Sequence, residues 1–161
     1  MTDQATFQHA LRAAQARGDF AEIARLHHTA GDEALQRREP EQATHHFVRA
    51  LAAYSQIGDV RGVGAMHVRL GNIALQRQQP HIATRHFRRA LFAYEEAGHE
   101  KGLVGVYVGL GHVAAMQNRI DDARAYYDRA LAILRRDLPE THPAVQSVLQ
   151  HRNHLPSQDE K

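Results

Sequence analysis

The sequence predicts an all-α chain in which antiparallel helix pairs stack into an α-solenoid of about eight helices. Three observations lead there. First, the 161 residues repeat with a period of 40. Residues 21 to 60 laid over 61 to 100 without a gap give 17 identities, among them Gly31 with Gly71, Ala43 with Ala83 and Phe47 with Phe87. Residues 101 to 140 keep ten identities with the second block, including Leu110, Gly111, Ala114, Ala123 and Ala130. A fixed period of this length marks a stacked array. Second, the apolar residues of each block recur at helical spacing in two segments. In the second block these are Val68, Leu70, Ile73 and Ala74, then Ala83, Phe87, Ala90, Leu91 and Tyr94. Third, proline and glycine punctuate the blocks at matching places.

Taken in order, the elements begin with a lone helix over about residues 3 to 17, a half repeat ending near residue 20. Its Phe7, Ala10, Leu11, Gly18 and Asp19 fall on Phe47, Ala50, Leu51, Gly58 and Asp59 of the repeat frame. Three full repeats follow, 21–60, 61–100 and 101–140. Pro40 and Pro80 stand where a second helix begins, because a first helical turn leaves the N–H that proline lacks unpaired in any case. The third repeat has Ile120, Asp121 and Asp122 there, and acids favour a helix start through the dipole. Gly58 and Gly98 follow the second helices, where glycine ends a helix in the left-handed conformation. "LPETHP" marks a last turn, residues 141–154 form a final helix, and 155–161 form a polar tail. The whole of 1–155 is one array.

Composition narrows the function. There is no cysteine, so no disulfide, thiolate nucleophile or cysteine-rich zinc site is available. This fits a cytoplasmic protein. The first twenty residues lack the apolar stretch of a secretory signal. The most apolar run, "GLVGVYVGLGHVAAM", is too short to span a bilayer. Twenty basic against eighteen acidic residues leave a net charge of +2, and no basic run interleaved with aromatics is present, so neither nucleic acid nor a membrane is an expected partner.

The small and aromatic positions carry a family resemblance. "HVRLGNIA" (67 to 74) with "ATRHF" (83 to 87) and Ala90, and "YVGLGHVA" (107 to 114) with "ARAYY" (123 to 127) and Ala130, resemble the signature of tetratricopeptide repeats. "HHTAGDEA" (27 to 34) with "ATHHF" (43 to 47) is a weaker-fronted copy. The period is 40 where about 34 is usual. Tryptophan is absent, and alanine stands at the usual tyrosine. The longer period, with "THPAVQSVL", is similar to the kinesin-light-chain-like and bacterial regulator-type members. The resemblance implies a right-handed superhelix, a concave groove lined by the first helix of each pair, and protein or peptide partners. It also implies a packing role for Gly31, Gly71 and Gly111 with Ala43, Ala83 and Ala123, which let paired helices approach around Phe47, Phe87 and Tyr127. The carboxylate-clamp members' pattern is met only at Asn72. The remaining clamp positions hold His28, Asp32, Gly105 and Gly109, so that ligand is not expected.

No catalytic constellation, metal site or cofactor is expected. Thirteen histidines include no i, i+4 pair. His151 and His154 lie three apart near the end. His27 and His67 share a repeat column with Tyr107, and His46 and His86 share one with Tyr126, as packing positions would. "GLGHVA" (109 to 114) mimics a dinucleotide fingerprint but falls within a helix. The expected working surface is the groove. Arg25, His28, Asp32 and Gln36 lie on one helix face, followed by Val68, Asn72 and Gln76, then Val108, His112 and Met116. The groove grades from charged to apolar, and an extended peptide or partner helix fits it. The alternative is self-assembly through the end helices, with Phe7, Ala10 and Leu11 at one end and Val145, Val148 and Leu149 at the other.

Overall fold

A computed structural model describes residues 4–156. They form eight helices: α1 (Gln4–Arg17), α2 (Phe20–Gln36), α3 (Pro40–Gln56), α4 (Val60–Gln76), α5 (Pro80–Glu96), α6 (Glu100–Met116), α7 (Ile120–Asp137) and α8 (Pro143–Asn153). Among the described residues there is no strand. The tightest packing is within the pairs α2·α3, α4·α5 and α6·α7, and each pair then packs on the next through α3·α4 and α5·α6. This is the tetratricopeptide-like solenoid the repeat predicts.

One backbone device closes six successive junctions. At the end of α2, the Arg38 N–H donates to the Leu35 carbonyl and the Glu39 N–H to the Ala34 carbonyl, the two bonds of a Schellman turn. The turn requires a left-handed residue, supplied by Gly18, Gly58 and Gly98 between repeats but by Arg38, Gln78 and Asn118 within them. Glycine therefore marks only half the stops. Helix starts follow local chemistry: Asp19 and Asp59 side chains accept from the Glu22 and Gly62 N–H groups, while Pro40 and Pro80 open α3 and α5.

The pairs are joined by ring against glycine. A Cβ added to Gly71 would lie 2.8 Å from the Phe87 ring, and one added to Gly109, in the next repeat, would lie 2.3 Å from the same ring. Phe87 is thus clamped between two backbones and fully buried. Gly31 against Phe47 and Gly111 against Tyr127 repeat the first of these two contacts. Burying each ring contributes roughly 1.5–3 kcal/mol, which a bulkier partner at the glycine would offset by forcing the helices apart.

The far end closes differently. Val145 and Val148 of α8 are buried against Ala130, Leu131 and Tyr127 of α7, with Leu149 and Leu155 packed at the margin. Leu155 is half-buried against this cluster, and the Pro156 carbonyl accepts from Arg124 Nη2. The expected tail residues beyond, 157–161, and Asp3 at the expected start of the first helix lie outside the described residues.

Candidate partner-binding surface

α4 packs directly on α6, whereas neither α2 and α4 nor successive second helices make a comparable contact. The first helices α2, α4 and α6 are the row expected to line the groove, the inner wall of the expected superhelix.

The inner-wall residues fall into two groups. Arg25, Gln36, Asn72, Gln76 and Met116 are exposed. His28, Asp32, Val68, Val108 and His112 are half-buried and engaged with the protein itself. Arg25 is tied to Glu22 by Nη2–Oε1 at 2.7 Å and Nε–Oε2 at 3.0 Å. Asp32 receives Arg69 of the next repeat, Nε to Oδ1 at 3.2 Å, and lies 3.5 Å from His28 Nε2. His28 also meets the Tyr54 hydroxyl at 3.4 Å, and burial lowers its pKa while Asp32 opposes the shift. Val68 packs on the core between the second and third repeats, and Val108 on the cluster around Tyr127. His112 stands perpendicular to His151, ring centres 4.6 Å apart, and its pKa is lowered by burial and then by His151. Asp32 thus sits between His28 and Arg69, the latter omitted by the groove pattern. The signal available in the sequence is its place one turn before Asn72.

The end-helix residues are placed as follows. Phe7 stands edge-on to both His27 and His46, at 5.6 and 5.4 Å between ring centres, and Leu11 is half-buried beside it. Ala10 is half-buried too. Val145 and Val148 face inward and close the array's own core, so they present no surface to another copy.

One arrangement was not anticipated from the sequence. The two histidine columns meet: His27 Nδ1 lies 3.0 Å from His46 Nδ1, and His67 Nδ1 lies 3.1 Å from His86 Nδ1. In the third repeat the same columns bring Tyr107 over Tyr126, 6.4 Å apart and stacked, with the Arg129 guanidinium 5.8 and 5.9 Å from the two ring centres. The constant separation of 19 residues was the available clue. Neutral imidazoles share one N–H between them, whereas two imidazoliums would oppose N–H to N–H. Burial, then the partner histidine, pushes His27 and His67 down to about 4. His46 and His86 are lowered as well, first by burial. Each pair supplies two ligand atoms, and among the described residues no group of three or more histidine or acidic side chains could hold a metal ion. Nor is any described helix long and apolar enough to cross a membrane.

Residues 62–136, from α4 into α7, match the family model described as the tetratricopeptide repeat. A comparison with curated proteins finds no match.

Proposed function

We propose that the chain is a protein-interaction module, an adaptor or sensor that holds an extended peptide or partner helix along its inner row and has no reaction of its own. Repeats of the matched family generally mediate protein–protein interaction. The observation that carries the reading further is a set of unused amides. Gln36, Asn72 and Gln76 are exposed on α2 and α4, and their side chains make no hydrogen bond among the described residues. An amide can donate to and accept from an extended backbone at once, which suits β-like or irregular peptide binding. Met116, 46% exposed at the end of α6, offers an apolar and adaptable contact further along. The charged end is already organised: Arg69 links Asp32 across two repeats.

The test compares capture of partners from extracts of the native organism by the wild-type chain and by Asn72→Ala/Gln76→Ala/Met116→Glu. These positions are exposed, so helicity by circular dichroism is expected to persist while capture is lost. Retained capture by a folded triple variant sinks the inner-row reading. Val108→Asp is less suitable, because Val108 is half-buried in the core and its loss of capture would be confounded with unfolding.

A further inference from the structure

The outer row carries a feature the repeat frame does not require. Phe92 of α5 is 64% exposed, more than any other large apolar residue described. The same column holds Ala52 in α3 and Ala132 in α7, so a small residue satisfies the packing there. Beside Phe92 a groove of about 470 Å³ opens between α3 and α5, floored by Val60, Val63 and His67 of α4. Arg88 and Arg89 stand one turn before Phe92, and Glu95 and Glu96 one turn after, all exposed. The side chains of these four form no ion pair or hydrogen bond among the described residues. Seven residues along a helix put about 10 Å between Arg88 and Glu95, too far to neutralise each other. At about 100° per residue, all four project within about 60° of Phe92. In α7, by contrast, Asp128, Arg135 and Arg136 are all engaged, with Arg152, Glu140 and Glu100.

This face is complementary to itself reversed. We propose that it is the contact between two copies of this chain, α5 against α5 in antiparallel orientation across a two-fold axis at Phe92. Each arginine pair then lies level with the other copy's glutamate pair, and each Phe92 covers the groove beside its counterpart. The contact is isologous and closes on two copies. The charges set orientation and partner choice, and the phenyl rings supply the apolar contact. One helix face per copy is a small interface, which places the dissociation constant on the order of 10–100 µM. The surface lies on the opposite row from the inner wall, so the dimer and the partner-binding reading fail or stand separately.

Sedimentation of the full chain from about 10 to 300 µM reads the monomer–dimer equilibrium directly. Phe92→Ala, which installs the residue of the other two repeats and so preserves the fold, weakens the dimer about tenfold or more. Arg88→Glu/Arg89→Glu and Glu95→Arg/Glu96→Arg are each monomeric alone, with four like charges on one face, and form a heterodimer when mixed in equal amounts. A wild-type chain that stays monomeric over this range overturns the proposal. So does a dimer unaffected by Phe92→Ala, which would place the contact elsewhere, or a mixture of the two charge variants that stays monomeric.

Discussion

The first two repeats and the third solve one packing problem with different chemistry. Where α2 meets α3 and α4 meets α5, His27 and His67 face His46 and His86, Nδ1 to Nδ1. Where α6 meets α7, Tyr107 stacks on Tyr126 near the Arg129 guanidinium. The column needs a flat ring of middling size, and either ring supplies it. The histidine versions add a dependence on protonation that the tyrosine version lacks. The glycine–ring joints, by contrast, are alike in all three repeats, because there the requirement is the absence of a side chain.

The comparison breaks most severely if the common frame fails. Gly109→Leu drives a side chain into the Phe87 ring, and denaturant unfolding should show a loss of more than ~3 kcal/mol. Next comes acid. His67 has its folded pKa depressed to about 4 from 6.5, so the unfolded chain binds more protons between those values. The associated stability is complete above about pH 6.5 and is lost as pH falls toward 4, amounting to ~3 kcal/mol. His27 behaves alike. Unfolding by urea at a series of pH values checks this, and a flat profile from pH 7 to 4 refutes it. The third change sharpens the contrast. His67→Tyr/His86→Tyr gives the second repeat the chemistry of the third and should keep the helicity while removing the part of the acid-dependent loss that this pair contributes. An unchanged pH profile would assign the titration to other groups. The smallest effect is that of Arg129→Ala, which removes the cation from the tyrosine pair and should cost about 0.5–1 kcal/mol without altering the pH profile.

The repeats, the helix order and the small and aromatic columns were legible because a solenoid packs each unit only on its neighbours. Residues close in sequence then carry most of the structural information. Gly31, Gly71 and Gly111 opposite Phe47, Phe87 and Tyr127 could be matched from the period alone, and the structure adds Gly109 as the second jaw on Phe87. The intra-repeat turns were less legible, since Arg38, Gln78 and Asn118 take the left-handed position without the glycine that announces it. The availability of the residues expected along the groove was not legible. Val68 and Val108 share the wall's spacing yet lean into the cores, because exposure depends on how far the next repeat overlaps them.

The sequence by itself determined the class of fold, through the 40-residue period and the 3.6-residue spacing of apolar positions. Both are properties of a chain segment and need no partner to be seen. Only the tertiary structure decided that His27 meets His46, that Arg69 engages Asp32 and that Val145 and Val148 of the final helix are buried. The same holds for Arg88, Arg89, Glu95 and Glu96 remaining unpaired around Phe92. Those outcomes depend on distances between side chains of different helices, which follow from how closely the glycine–ring joints let the helices approach.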